Sequence, residues 1–275
     1  MRNLDKQTAD GFDRIWKRYD EVERDLPGDE SDEAFRTYFA IFPLDALNGE
    51  GFDLGCGNGR IARGVAPRAG RLHCIDQSAA GLAAAKHAMR ALENVEFHQA
   101  SVDAIPLPGG SQDFGYSIGV LHHIPDPAAG LRSCVAKLKP GAPFLVYLYY
   151  SLDNRPGWFR LIWRASDAAR RGISKLPFRS RYAASTVIAA TAYWPLSRLG
   201  GMLQKAGLPT KHMPLSSYIG RSWVDLRADS LDRFGTAVEH RFSKAQIEAM
   251  MIGAGLERIT FADGPPYWIA LGYKR

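Results

Sequence analysis

Beyond residue 50 the chain alternates short apolar runs with stretches whose apolar positions recur every three or four residues. Runs ending at Asp53, Asp76, His98 and Ile118, and a fifth over 143–149, read as strands. Between them a helix is predicted over 59–66, stopping before Pro67. Another is opened by Ser78, with Leu82, Ala85, Met89 and Leu92 on its apolar face, and a third ends at Lys139-Pro140-Gly141. Strand and helix in alternation imply a parallel sheet covered by helices. Far down the chain, Ser243 and Gln246 have the spacing of a capping box. Ile247, Met250, Met251 and Ala254 follow on one face, and Gly255 stops the helix. Two last strands, 256–262 and 267–273, are joined by Asp263-Gly264-Pro265-Pro266.

Two segments fall outside this alternation. Residues 1–48 read as helical, with Phe12, Ile15, Trp16 and Tyr19 at helical spacing, which predicts a helix packed by its aromatic face. Residues 151–240 are too long for a connection. They open with a helix that carries Trp158, Leu161, Ile162, Ala165 and Ala168 on one face and Arg160, Arg164, Asp167 and Arg171 on another. Further helices are expected over 184–193 and 196–206, and 215–232 reads as irregular. The chain thus divides into an N-terminal helical cap (1–48), a core (49–150 with 241–275) and a mostly helical insert (151–240).

Charge changes the picture of the insert. From Arg155 to Arg221 there are twelve Lys or Arg and one acid, Asp167, a local net of +11. The whole chain is +6, so the remainder is −5. The basicity therefore points to an anionic partner of the insert: a charged substrate, an anionic lipid surface or nucleic acid. The aromatic and basic helix from Trp158 to Trp163 has the character of an interfacial helix, which favours peripheral membrane contact. No RNA-binding module is recognisable, so nucleic acid is not expected. The three cysteines, Cys56, Cys74 and Cys134, have neither disulfide nor metal-ligand spacing, and no metal is expected. Residues 1–20 have no apolar signal region, and the uncharged stretch between Arg181 and Arg198 falls short of a span of about 20 apolar residues. A cytoplasmic protein is expected, with membrane association through the insert. Oligomeric state is not legible.

The chemistry concentrates where the first strand ends. Asp53 is followed by Gly55, Gly57 and Gly59 and by a helix start. Glycine admits positive φ and close approach of a ligand to the backbone, and the helix N-terminus favours an anionic group. The dinucleotide fingerprint places its third glycine one residue later, where this chain has Arg60. Asp76 ends the second strand some 20 residues on, where an acid can accept both ribose hydroxyls of an adenosine.

This glycine spacing resembles motif I of the class I S-adenosylmethionine (SAM) methyltransferases. Gly119-Val120-Leu121-His122-His123-Ile124-Pro125-Asp126, after the fourth strand, resembles a signature of the methyltransferase type 11 group. The likeness covers about 50–150 and 240–275, its runs in the same order. It implies a Rossmann-like, seven-stranded, mostly parallel α/β sheet with an antiparallel last strand, and SAM as cofactor. It implies that Asp53 meets the methionine amino group, that Gly55 and Gly57 admit the cofactor, and that Asp76, with Gln77 beside it, holds the ribose. Ser101 and Val102 would meet the adenine, with Asp103 as competitor to Ser101, and Gly119 would lie beside the methionine moiety. By the same resemblance an N-terminal helix covers the cofactor cleft, so that Trp16 or Tyr19 lines it.

The expected reaction is methyl transfer from SAM to an oxygen or nitrogen of a small-molecule, glycan or lipid-like acceptor. His122 and His123 are candidate bases for an oxygen nucleophile, and His123 equally a loop anchor. A His122–His123–Asp126 metal site lacks a further ligand at suitable spacing. Two other readings stay open: a nicotinamide-dependent oxidoreductase, and a non-catalytic module that binds membrane or RNA through its insert.

Overall fold

A computed structural model gives the architecture for residues 3, 5–22, 28–210, 213–264 and 266–275. The chain forms two compact units, 1–153 with 238–275, and 154–237. In the first, helices α1 (Lys6–Val22) and α2 (Gly28–Tyr38) precede β1 (Glu50–Leu54), α3 (Ala62–Val65), β2 (Arg71–Asp76), α4 (Ala79–Ala88), β3 (Val95–Gln99), β4 (Phe114–Ile118), α5 (Pro127–Val135) and β5 (Pro143–Tyr147). The second unit supplies α6 (Gly157–Ile173), α7 (Phe178–Ile188), α8 (Trp194–Lys205) and α9 (Trp223–Gly235). The first unit resumes with α10 (Lys244–Gly253), β6 (Leu256–Phe261) and β7 (Ile269–Lys274).

The seven strands lie in the order β3-β2-β1-β4-β5-β7-β6. All ladders among β1 to β5 are parallel, and β7 runs antiparallel to both its neighbours. Period-two alternation sends side chains to both faces. Phe52, Leu54 and Ile75 pack with Leu131 of α5 and Met251 of α10. Leu72, Cys74, Phe114 and Tyr116 pack on the other face with Phe35, Val65 and Leu82. Phe39 meets Phe35, Phe42 and Tyr116 at centroid distances of 5.0–5.1 Å. Residues 35–42 are therefore part of the core, not only a cover. On the outer strand β6, one extra residue between Glu257 and Thr260 makes a bulge, with Arg258 at φ +51°.

Ser78 caps α4 and Ser243 with Gln246 forms the capping box of α10, as their spacing predicts. The helix before Pro67 does stop ahead of it, at Val65. A 3-10 turn, Ala66–Arg68, carries Pro67 in its first turn, where no N–H is required. The third helix ends at Val135, short of Pro140.

The second unit departs further from expectation. Helix α7 starts at Phe178 and passes through a π-helical turn, Ala189–Tyr193, straight into α8. Pro195 sits in the first turn of α8 and breaks nothing. The stretch expected to be irregular contains α9, whose buried face is Leu226, Ser230, Leu231 and Phe234. Ser230 hid the period: its hydroxyl donates to the Ser185 carbonyl at 2.8 Å. Arg181 donates to the Gly235 carbonyl at 2.6 Å, and Arg170 to that of Thr236 at 3.1 Å while pairing with Asp167 at 2.8 Å. Cations at a helix C-terminus satisfy its last carbonyls. Two of the basic residues are thus internal struts.

Helix α6 buries two charged residues and exposes apolar ones. Asp167 and Arg170 are buried, whereas Trp158, Leu161 and Ile162 are 51%, 68% and 53% exposed. Among the described residues, ten of the twelve exposed large apolar side chains belong to 154–237, although that unit is under a third of the chain.

Candidate active site

Strand order reverses between β1 and β4, and the chain leaves both at their carboxyl ends. Open α/β sheets take ligands in the crevice at such a point. Gly55 and Gly57 there have φ of +82° and +53°. A Cβ on Gly55 would lie 2.2 Å from Val120, and one on Gly57 2.7 Å from the Trp16 ring. The loop is pinned to β2, because the Gly55 and Cys56 amides donate to the Ile75 carbonyl at 2.7 and 3.2 Å.

Asp53, 3% exposed, sits one residue before the end of β1. Burial pushes its carboxyl up to about 8, the adjacent Tyr116 hydroxyl opposes the rise, and the Asp76 charge adds to it. Asp76 is half-buried. Its Oδ2 accepts from the Gly57 amide and its Oδ1 from the Ser78 amide, both at 2.8 Å. Burial raises its pKa against those donors. A carboxylate has about four acceptor sites, so Asp76 retains capacity for hydroxyl donors. Two carboxyls held above their ordinary pKa on adjacent strands make a place that favours positive charge.

The remaining predicted residues lie at the same edge of the sheet. The Gln77 carbonyl accepts from Gln99 at 3.2 Å. Ser101 precedes a 3-10 turn, and Val102 buries its side chain in the core. Asp103 accepts from the backbone amide of Asn3. Gly119 has φ +78° and open space where a Cβ would stand. Helix α1 lies on α4, with Asp13 accepting from the Ser78 hydroxyl at 2.8 Å and the Ala80 amide at 3.2 Å. Trp16 rests against Gly57 and Gly81. The side chains of Ile15 and Tyr19 lie outside the described residues.

His122 and His123 are buried after β4. His123 Nδ1–H donates to the Val238 carbonyl at 2.9 Å. His122 stacks on Tyr149 with centroids 3.7 Å apart, and among the described residues neither of its ring nitrogens has a hydrogen-bond partner. Burial, then the neighbouring His123, Arg241 and His240, hold its pKa well below the ordinary imidazole value, so the ring is neutral. Arg241 donates to Glu239 at 2.8 Å and lies 5.1 Å over the Tyr149 ring. Asp126 caps α5 through the Ala129 amide. Tyr116, Tyr149 and residues 239–241 gave no sign in the sequence, because they converge only through the sheet and the return of the chain after residue 237.

Sheet order, glycine loop and acidic strand ends together define the Rossmann-like fold of the class I methyltransferases. Residues 52–146 match the family described as "Methyltransferase domain". This stretch, about a third of the chain, carries a methyltransferase domain. Among its relatives are proteins named ubiquinone biosynthesis O-methyltransferase. That of Marinobacter nauticus is 34% identical over 107 residues, 38% of this chain and 43% of that protein. That of Sodalis glossinidius is 27% identical over 158 residues, 56% of this chain and 62% of that protein. The chain thus spans about half the length of the relatives it matches. Human N-acetylserotonin methyltransferase, solved with SAM, shares the fold at a TM-score of 0.50 and 17% identity, covering 96% of this chain and 55% of that one.

Proposed function

We propose that the protein transfers the SAM methyl group to an oxygen of a lipid-like aryl acceptor at an anionic membrane surface. The observation that carries the acceptor and its setting is the outward apolar face of α6. A helix that buries Asp167 and Arg170 and exposes Trp158, Leu161 and Ile162 presents an apolar surface. Arg160, Arg164 and Arg171 are exposed beside it. Residues 154–237 carry fourteen Lys or Arg against four Asp, a net of +10. Among the described residues no helix is long and apolar enough to cross a membrane. The names of the relatives support an oxygen as the methylated atom and a quinone-like ring as the acceptor head.

In this reading Asp53 takes the methionine ammonium, Gly119 gives room to the methionine moiety, Asp76 holds the ribose, and Ser101 with the Val102 backbone meets the adenine. Gly55 and Gly57 let the cofactor lie on the loop, and Gln77 flanks the ribose. SAM supplies an activated methyl group, so the protein chiefly orients the acceptor in line with it and excludes water. An aryl hydroxyl must lose its proton as it attacks. His122 is a neutral acceptor for that proton. The Arg241 charge nearby favours the aryl oxide, whereas burial, the first cause of the lowered His122 pKa, opposes charge on both groups.

Two measurements test this reading. Replacing Trp158, Leu161 and Ile162 together by Ser should weaken binding to phosphatidylglycerol vesicles by about 100-fold, at roughly 1 kcal/mol per half-buried apolar side chain. Turnover of a tail-less catechol in solution should stay as in the parent protein. Vesicle binding that survives both this change and high salt would remove the membrane from the proposal. His122→Asn should lower kcat by about 100-fold, the low end for loss of a positioned base, while SAM affinity stays unchanged. An unaltered kcat would take His122 out of the reaction.

A further inference from the structure

At the β3 edge of the sheet, side chains from two strands meet on one face. The parallel ladder sets His73 of β2 opposite Glu96 of β3. His98 lies two residues beyond Glu96, so the three share a face. His73 Nδ1 is 3.0 Å from His98 Nε2 and 3.4 Å from Glu96 Oε2, and His98 Nε2 is 3.8 Å from the same oxygen. One ligand atom from each of the three lies within 4.8 Å of the others. Ligands bound tetrahedrally at about 2.1 Å stand about 3.4 Å apart, which is the middle of those separations.

The surroundings prepare the same three atoms. His73 Nε2 is 2.8 Å from Glu50 Oε1. That carboxylate accepts a hydrogen bond from Nε2–H and leaves Nδ1 directed at His98 and Glu96. A carboxylate behind a histidine is the usual outer partner of a metal-bound imidazole. Arg71 engages the other oxygen of Glu96, Oε1, at 3.0 Å, leaving Oε2 to the cluster. The side chains of Glu96 and His98 are 46% and 24% exposed, which gives an ion and a water ligand access.

We propose that His73, Glu96 and His98 bind a divalent first-row transition cation such as Zn2+, with solvent in the fourth position. Without the cation, a single proton bridges His98 Nε2 and His73 Nδ1. The cation takes the place of that proton, which is exchanged through solvent onto the outer nitrogen of His98, Nδ1, so that both imidazoles stay neutral. The site lies on the sheet face, away from the glycine loop, and does not depend on the SAM reading. Its effect is mechanical: it staples the edge strand β3 to β2, the strand that ends in Asp76.

The test uses the full chain, stripped of metal and titrated with Co2+ and then Zn2+. The expected result is a single equivalent of Co2+ with the visible bands of a four-coordinate nitrogen and oxygen site, displaced by Zn2+. No thiolate charge-transfer band should appear, because no cysteine takes part. Zn2+ at 100 times its Kd should raise Tm by roughly 5 °C. Glu96→Gln and His98→Ala, both at partly exposed positions, should each weaken uptake by at least about 10-fold, while their metal-free Tm stays near that of the parent. Glu50→Gln, a positioning change, should weaken it about 10-fold without changing the bands. Absence of stoichiometric uptake by the parent protein would overturn the proposal. So would a thiolate band, or uptake unchanged in both folded ligand variants.

Discussion

Asp53→Asn should make the unliganded protein more stable and a poorer binder of SAM. Burial holds the Asp53 carboxyl at about 8, against an ordinary value of 3.8. The folded chain therefore keeps a proton that the unfolded chain releases at lower pH. Stability from this group is fully present below about pH 4 and is lost as pH rises toward 8, by up to about 5 kcal/mol. Asparagine is nearly the same shape and carries no charge, so the variant should lack this slope. At pH 8 its Tm should exceed that of the parent by roughly 5 °C or more, and near pH 4 the two should converge. The binding arm runs the other way. A charge-assisted hydrogen bond to the methionine ammonium is worth about 1.5–3 kcal/mol, so SAM should bind about 10- to 100-fold more weakly. In the parent protein SAM affinity should increase as pH rises toward 8, and in the variant it should stay flat. Equal melting at pH 8 together with unaltered affinity would show that this carboxyl is neither strained by burial nor a cofactor contact.

Asp76→Ala should cost about 100-fold or more in affinity for both SAM and S-adenosylhomocysteine, through two lost hydrogen bonds from ribose hydroxyls to a carboxylate. The same carboxylate also holds the Gly57 and Ser78 amides, so a loosened loop could give a similar loss. A 2′-deoxy analogue of S-adenosylhomocysteine separates the two causes. It should bind the parent protein more weakly than the natural ligand does, and the variant should not distinguish them. If the variant discriminates as strongly as the parent, Asp76 is a loop anchor and the ribose is held elsewhere. NAD binding by the parent protein would instead revive the oxidoreductase reading.

The core was legible because its signals are local. A strand carrying Asp53, three glycines and a helix start follow one another within a few residues, and period-two and period-four patterns assign each element without tertiary information. The same holds for the Ser243–Gln246 capping box. What stayed hidden depends on contacts between distant segments. Tyr149 reaches His122 across neighbouring strands, and Arg241 arrives after the whole insert. The triplet of His73, Glu96 and His98 is spread over two strands and has no spacing that a scan for ligands would find. In the insert, polar residues occupy interior positions: Ser230 on α9, Asp167 and Arg170 on α6. A pattern that equates apolar with buried misses the first helix and leaves the orientation of the second unread.

One detail at the far side of the sheet bears on how the protein behaves in concentrated solution. Strand β6 is bordered by β7 on one side only, and an open strand edge is a template for pairing with a second chain. Its extra residue between Glu257 and Thr260, with Arg258 in a left-handed conformation, interrupts the flat run of donors and acceptors that such pairing needs. Arg258 also lies 4.1 Å over the Tyr273 ring, which holds a charge at the rim. The kink therefore guards against edge-to-edge aggregation at the end of the sheet where no helix follows.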